Sequence, residues 1–263
     1  MTWSVCSLPL RITFIGTDVP GLTTVTIFCR SVVLATGRPP RWIAPVVDAL
    51  GFAPMAVCAN GAVIYDPSSD RILSARTLPV DLLAELAEIA TRVIPGAGLA
   101  VERVGRSAHD SATPQFVSSP GYEHAWLNPD NTEVSMSDLL SAPAVKLLIR
   151  KAGARSADMA EELVKHIAVQ GDITYSTNNG LIEVNPIGTS KATGVEEVAR
   201  PLEITAEDVV AFGDMPNDVP MLRWAGLGVA MGNAHPEAIA AANEVTAPNT
   251  DDGLARVLER WWL

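Results

Sequence analysis

Short apolar runs alternate with helix-length periodic segments along most of this chain. Residues 32–35 form one apolar run, residues 40–50 begin with proline and repeat their apolar positions on one helical face, and residues 55–59 form the next run. Strands that alternate with helices in this way form parallel sheets. The pattern therefore predicts a doubly wound α/β fold with a mainly parallel sheet.

The pattern changes after a turn cluster at residues 66–70, which joins two short strands in a hairpin. We then predict a helix at 80–93, a strand at 99–104, a loop at 105–121, a strand at 145–149, a helix at 157–167 and a hairpin that turns at 178–180. The first pattern returns with a helix at 191–200, strands at 209–212, 227–231 and 244–246, and helices at 236–242 and 253–260. Residues 1–66 and 187–263 are therefore predicted to form a core domain, into which residues 67–186 are inserted as an α+β domain.

The composition argues against several functional classes. The 263 residues include 30 Asp and Glu against 19 Lys and Arg, which gives a net charge of −11. No cluster of basic and aromatic residues appears, so we expect no nucleic acid partner, because phosphate backbones are bound by concentrated positive charge. No apolar run reaches the roughly 20 residues of a membrane span. The three widely spaced cysteines fit no disulfide framework, and a cytoplasmic protein is expected.

The largely aliphatic run at 208–212 leads into a glycine and then two aspartates, Asp214 and Asp218, with Asn217 between them. The carboxyl ends of strands are where open α/β sheets bind their ligands. Carboxylate and amide oxygens at such a turn suit Mg²⁺, which usually takes only one or two protein carboxylates. The alternative is an ordinary capped turn, because Asp and Asn are common at the starts of helices.

Polar and small residues also follow the two earlier strands. Thr36, Gly37 and Arg38 come between a strand and a helix, so a hydroxyl, flexible backbone amides and a helix N-terminus converge there. Such a convergence is typical of an anion site. Asn60 and Gly61 follow the next strand in the same way, although a tight turn explains them equally well.

Lys191 begins a predicted helix directly after Ser190. The positive end of a helix dipole disfavours a lysine there unless an anion lies close to it. Lys191 is therefore a candidate ligand for a phosphoryl oxygen, and an exposed surface lysine is the alternative.

The order of these motifs along the chain is more specific than any one of them. Ala-Thr-Gly-Arg-Pro at 35–39, Ala-Asn-Gly-Ala at 59–62, Ser-Lys at 190–191 and Gly-Asp-x-x-Asn-Asp at 213–218 follow one another around an inserted domain. This order resembles the haloacid dehalogenase-like phosphohydrolases, and specifically their Cof-like branch with an α/β cap domain. The resemblance extends from about residue 31 to the C-terminus.

The resemblance implies a Mg²⁺-dependent phosphohydrolase that acts on small phosphate esters such as sugar phosphates, through an aspartyl-phosphate intermediate. Thr36 would bind the transferring phosphoryl group, and Lys191 would neutralise the charges of that group and of the nucleophile. Asp214 and Asp218 would bind Mg²⁺, supported by Asn217. Residues implied to lie near the bound substrate are Gly37, Arg38, Asn60, Gly61 and Asn217. The inserted domain would open to admit the substrate and close to exclude water.

The beginning of the chain departs from the pattern of this family. Its members begin with a strand that ends in Asp-x-Asp-Gly-Thr, where the first Asp attacks phosphorus and the second protonates the leaving group. Here Asp18 takes the place of the nucleophile, which is also a metal ligand, and Pro20 takes the place of the acid. Proline has no proton to donate, so a contribution of about 10²–10⁴ to the rate would be missing.

The connection that follows Asp18 is also unusual. Only residues 19–30 lie between it and the next strand, which is close to the minimum of about a dozen for a parallel crossover. Residues 23–27 are mostly β-branched and favour a strand over a helix. Three interpretations follow: a divergent or shortened segment, the product of a shifted reading frame or misplaced start, or an edge strand that contains an aspartate by chance. The alternative function is a catalytically impaired member that binds phosphate metabolites or a protein partner.

Overall fold

The computed structural model of this chain describes residues 12–16, 31–110, 113–126, 128–167 and 169–261, with the backbone alone for 12–16. Asp18 and Pro20 lie outside the described residues. The strands are β1 (Ile12–Gly16), β2 (Ser31–Ala35), β3 (Met55–Cys58), β4 (Val63–Asp66), β5 (Arg71–Ala75), β6 (Gly98–Glu102), β7 (Phe116–Ser118), β8 (Asn131–Glu133), β9 (Lys146–Arg150), β10 (Asp172–Thr174), β11 (Leu181–Asn185), β12 (Val209–Gly213), β13 (Leu227–Ala230) and β14 (Glu244–Val245). The α-helices are α1 (Ala44–Leu50), α2 (Val80–Val93), α3 (Met136–Leu139), α4 (Ser156–Ile167), α5 (Lys191–Ala199), α6 (Val219–Trp224), α7 (Pro236–Ala241) and α8 (Gly253–Leu258). None of the described helices has the length and apolar character needed to cross a bilayer.

The strands form an eight-stranded and a six-stranded sheet. The larger sheet has the order β14-β13-β12-β1-β2-β3-β4-β5, and its strands are parallel from β14 to β3. At one edge of this sheet, β4 pairs antiparallel with both β3 and β5. This arrangement confirms the predicted α/β fold with a doubly wound, mainly parallel sheet.

The parallel strands are buried because helices cover both faces of the larger sheet. In β12, Val209 and Ala211 pack on the side of α5 and α6, together with Val195 of α5. Val210 and Phe212 point to the opposite side and pack with α8. Successive residues of a strand face opposite ways, so a strand covered on both faces must be apolar throughout.

The smaller sheet has the order β10-β11-β9-β6-β7-β8. One of its faces packs against α2 and α4, where Leu83, Leu86 and Leu163 belong to one apolar cluster with the sheet. The register pairs Glu102 of β6 directly with Lys146 of β9, so both side chains lie on one face. These two charged residues line a cleft between the two sheets.

The structure corrects three expectations about individual elements. An edge strand at the beginning of the chain is wrong, because β1 lies in the interior of the larger sheet, parallel to both β12 and β2. The loop predicted at 105–121 contains β7, which pairs with β6. The helix predicted at 40–50 begins as a 3₁₀ turn, and α1 starts only at Ala44, with Pro45 in its first turn, where proline needs no hydrogen-bonded N–H.

The division into a core of residues 1–66 and 187–263 and a cap of residues 67–186 remains a proposal. The change of sheet comes after Ala75, because β5 pairs with β4 in the larger sheet. The turn at 66–70 therefore lies within a hairpin of that sheet, where Ser68 donates to the Asp66 carboxylate. We call the six-stranded sheet, β6 to β11, the cap sheet.

Candidate active site

A cleft of about 440 Å³ lies between the carboxyl edge of the larger sheet and the cap sheet. It is lined by residues that the sequence motifs singled out, which come from segments far apart in the chain: Thr36, Gly37, Arg38, Lys191, Asp214, Asn217 and Asp218. Their strands β2 and β12 are separated in the sheet only by β1. The parallel order of the strands thus brings their ends together at one edge.

The loops that follow β2 and β3 are hydrogen-bonded to each other. The Thr36 amide donates to the Val57 carbonyl over 2.8 Å, and the Asn60 amide donates to the Thr36 carbonyl over 3.0 Å. Asn60 adopts the left-handed conformation, with φ of 58°, which asparagine tolerates better than most residues. The side chains of these loops are therefore fixed relative to each other.

Two residues implied to bind substrate, Asn60 and Gly61, do not line the cleft. Asn60 is 2% exposed and lies behind Asn217, whose Nδ2 donates to its Oδ1 over 3.1 Å. Gly61 has φ of +98°, and a Cβ there would lie 2.0 Å from the Ser190 carbonyl oxygen. Gly61 thus permits the close approach of the segment that precedes α5, which is a packing function.

Lys191 and Asp218 form a buried ion pair at the cleft. Nζ of Lys191 donates to Oδ1 of Asp218 over 2.6 Å, and the two side chains are 5% and 1% exposed. The second oxygen of Asp218 accepts from the amides of Asp214 and Met215, each over 3.0 Å. Asp218 therefore fixes both the lysine and the loop that carries Asp214. The assignment of Asp218 as a metal ligand stays a prediction.

Asn217 presents a buried acceptor without a described partner. Its Oδ1 has no hydrogen bond among the described residues, although the side chain lines the cleft. A buried polar atom of this kind needs a donor or a cation.

The donors available here fit Mg²⁺. No group of three or more His, Cys, Asp or Glu side chains within the described ranges is arranged to bind a metal. Mg²⁺ does not require one, because it uses one or two carboxylates and keeps several water ligands. Asp214, Asp218 and the Oδ1 atom of Asn217 supply oxygen donors of the appropriate type at the cleft.

The cap sheet reaches across the cleft to the loops of the larger sheet. Lys146 of β9 donates to the Gly37 carbonyl over 2.8 Å and to Oε1 of Glu183 over 2.5 Å. Oε2 of Glu183 accepts from Nδ2 of Asn60 over 2.7 Å. Since Asn60 also binds Asn217, a continuous chain of buried hydrogen bonds links the Gly37 loop, the cap sheet and the Asp214 loop. We call Lys146, Glu183, Asn60 and Asn217 the buried relay.

A second contact with the cap sheet joins Arg41, in the 3₁₀ turn before α1, to Glu102 of β6. The guanidinium donates to both carboxylate oxygens, over 2.6 and 3.2 Å. Burial raises the pKa of the Glu102 carboxyl, and Arg41 opposes that shift. Arg41 also donates to Asp130 over 2.8 Å, and this bond lowers the pKa of the Asp130 carboxyl. The negative charge of Asp130 is thereby retained beside the rim of the cleft.

A sequence model of the haloacid dehalogenase-like hydrolases matches residues 30–258. The chain belongs to this family. This haloacid dehalogenase-like hydrolase is 28% identical over 233 residues to the 5-amino-6-(5-phospho-D-ribitylamino)uracil phosphatase of Bacillus subtilis (strain 168), across 88% of this chain and 82% of the relative. It is 26% identical over 231 residues to the pyridoxal phosphate phosphatase of Escherichia coli (strain K12), across 86% and 84% of the two chains.

Solved structures agree on the fold. The hydrolase is similar to a sugar phosphatase of subclass IIB of the haloacid dehalogenase superfamily, with a TM-score of 0.73, 20% identity and coverage of 95% of this chain and 98% of the other. The family, its Cof-like branch and the fold class predicted from the sequence are thereby confirmed. The two relatives named above are phosphatases of small phosphate metabolites.

Sequence reasoning missed the residues that the cap sheet contributes, namely Glu102, Lys146 and Glu183. A signal was present, because each places a charge in or beside an apolar run of strand length. Charged side chains in buried strands are normally paired. Their partners, however, lie far away in the sequence, as with Lys146 and Glu183, which are 37 residues apart.

Breaking the buried relay should destabilise this hydrolase. Lys146→Met leaves the Glu183 carboxylate buried without its cation, and removing one partner of such a pair costs about 3–5 kcal/mol. We expect a decrease of that size in the free energy of unfolding, measured by urea titration. The double variant K146M/E183L should recover part of the loss, because it leaves no unpaired charge.

Lys165→Met provides the matched control, because Lys165 pairs with Glu162 on the exposed face of α4. Exposed pairs contribute little, so its urea midpoint should equal that of the wild type. A K146M variant as stable as K165M would show that the relay does not hold the two sheets together.

Proposed function

We propose that this chain is a Mg²⁺-dependent phosphatase of small phosphate esters that works through an aspartyl-phosphate. The observation that carries the proposal is that Thr36, Lys191 and Asp214, from three separate segments, line one cleft. Together they supply a hydroxyl, a cation and a carboxylate, which are the groups needed to bind a phosphoryl group beside a metal. The phosphatases among the relatives support the same conclusion.

Thr36 and Lys191 can both donate hydrogen bonds to a phosphoryl group. The Thr36 hydroxyl oxygen accepts from the Arg38 amide over 3.1 Å, so its own proton can be donated to a phosphoryl oxygen. Within the described part of the chain, Lys191 gives one of its three protons to Asp218, which leaves two for other oxygens. Because both side chains are buried, their electrostatic effect on a bound anion is weakly screened.

Asp214, Asp218 and Asn217 would hold Mg²⁺ together with Asp18. When bound, the ion would neutralise charge on the phosphoryl oxygens and orient the group for in-line attack. Asp218 has a second task in this scheme, because it also positions Lys191.

Asp18 would be the nucleophile, although it lies outside the described residues. Support comes from β1, which ends two residues earlier and lies between β12 and β2 in the sheet. A carboxylate oxygen of Asp18 would attack phosphorus, and the bond to the alcohol oxygen would break. Water would then attack the phosphorus of the aspartyl-phosphate, which releases phosphate and restores Asp18.

A binding protein without turnover is the second candidate, and Pro20 is the residue that favours it. Pro20 stands where the family has its acid, so this position has no proton to give to a leaving alcohol. Phosphate metabolites would then bind in the same cleft and remain intact.

Release of inorganic phosphate tests the proposal directly. Wild-type protein should release phosphate from a panel of phosphate monoesters only when Mg²⁺ is present. Asp18→Asn and Asp214→Asn should each lower kcat by at least about 10³, because they remove the nucleophile or a metal ligand. Asp158→Asn, on the exposed surface of α4, is the matched carboxylate control and should keep full activity. Turnover that survives D18N would remove Asp18 from the mechanism.

The missing acid predicts an unusual dependence on the leaving group. Aryl phosphates such as para-nitrophenyl phosphate need no protonation of the leaving group, whereas alkyl phosphates do. Pro20→Asp should therefore raise kcat for alkyl phosphates, by up to about 10²-fold, and leave kcat for para-nitrophenyl phosphate nearly unchanged. An equal change for both kinds of ester would contradict a role for position 20 in proton transfer.

A further inference from the structure

Aromatic side chains form part of the cleft wall in addition to the phosphate-binding groups. Trp42 comes from the segment before α1, Phe116 from β7 of the cap sheet, and Trp126 from a cap loop. Leu148 of β9 adds an aliphatic surface to the same wall. Neither the phosphoryl chemistry nor the metal site makes use of these residues.

The Trp42 ring is held in place before any ligand binds. Its Nε1 donates to the Asp130 carboxylate over 3.1 Å, and the Arg41 guanidinium carbon lies 5.7 Å from the ring centroid. Arg41 is itself fixed by Glu102 and Asp130. A ring that is already immobilised loses little conformational freedom when another ring stacks on it.

Phe116 is fixed in a similar way, whereas Trp126 remains partly open to solvent. Phe116 is 3% exposed, and its centroid lies 6.2 Å from that of Tyr122 and 5.9 Å from that of His124. Trp126 is 36% exposed and lies on the loop that continues to Asp130, the anchor of Trp42. The cleft therefore has two immobilised aromatic rings and one that is partly exposed to solvent.

The charged residues that the cap sheet contributes to the wall, Glu102, Lys146 and Glu183, already have hydrogen-bond partners. Both oxygens of Glu102 accept from Arg41, and Lys146 donates to Glu183 and to the Gly37 carbonyl. These bonds engage both oxygens of Glu102 and two of the three protons of Lys146, which leaves fewer groups for the several hydroxyls of a sugar. An aromatic ring requires no such partners, because stacking and burial of its faces supply the binding energy.

We propose that the substrates of this site are phosphate esters that carry a planar heteroaromatic ring, which stacks in the aromatic part of the cleft. This inference rests on the proposed phosphatase function and adds the substrate class to it. Ser176, Thr177 and Asn128, which also line the cleft, supply neutral polar groups for substituents of the ring.

The test compares two primary alkyl phosphates whose leaving groups are alike: pyridoxine 5′-phosphate, which has an aromatic ring, and glucose 6-phosphate, which does not. Pyridoxine 5′-phosphate also lacks the aldehyde that would react with lysines. The wild-type enzyme should show a kcat/KM at least about tenfold higher for the aromatic ester, the size of effect that ring stacking provides.

Two variants locate the effect in the cleft. Trp126→Leu and Trp42→Leu should each lower kcat/KM for pyridoxine 5′-phosphate by roughly 5- to 100-fold and change that for glucose 6-phosphate by less than about threefold. Phe52→Leu, an exposed aromatic residue that does not line the cleft, should change neither value. Circular dichroism spectra identical to that of the wild type verify that each variant is folded.

Calorimetric binding separates failure of this inference from failure of the phosphatase proposal. If neither ester is hydrolysed but pyridoxine 5′-phosphate binds at least about tenfold more tightly than glucose 6-phosphate, and W126L loses this preference, the aromatic site stands and the phosphatase function falls. If both esters are hydrolysed with equal kcat/KM, or glucose 6-phosphate is preferred, the phosphatase function stands and the aromatic site is refuted. Absence of both turnover and binding overturns both.

Discussion

The candidate site depends on the buried ion pair between Lys191 and Asp218. Lys191 begins α5 and Asp218 follows β12, so the pair joins two segments that the chain brings together only when the larger sheet is complete. The same carboxylate accepts the amides of Asp214 and Met215. Loss of either charge would leave the other unpaired in the interior, which is strongly unfavourable. Placement of a cation and a carboxylate at one cleft therefore follows from a single interaction.

The cap sheet completes this arrangement and does more than cover the cleft. Lys146 and Glu183 bridge the Gly37 loop and Asn60, and Asn60 in turn fixes Asn217. A shift of the cap sheet would thus displace the backbone next to Thr36 and the side chain of Asn217. In the proposed enzyme, the cap sheet supplies Phe116 to the aromatic wall and also contacts the Gly37 loop through Lys146, so the same sheet takes part in binding the ring and in forming the phosphate site.

Sequence patterns could predict the strand ends but not the contacts made across the cleft. Thr36 and Asp214 each follow an apolar run directly, and parallel strands carry such residues to a common edge, so their proximity could be predicted. Glu183 lies 123 residues from Asn60, and no local periodicity reveals such a pairing. Strand β7 was missed for the same reason, because three residues within a polar segment become a strand through pairing with β6 and β8.

Calorimetry with inorganic phosphate is the most direct test of whether one cleft binds a phosphoryl group and Mg²⁺ together. Titration of the wild-type protein with phosphate, with and without saturating Mg²⁺, measures the coupling between the two ligands. We expect Mg²⁺ to raise the affinity for phosphate by about tenfold or more, and phosphate to raise the affinity for Mg²⁺ by the same factor. Phosphate affinity that is independent of Mg²⁺, or no phosphate binding in either condition, would contradict it.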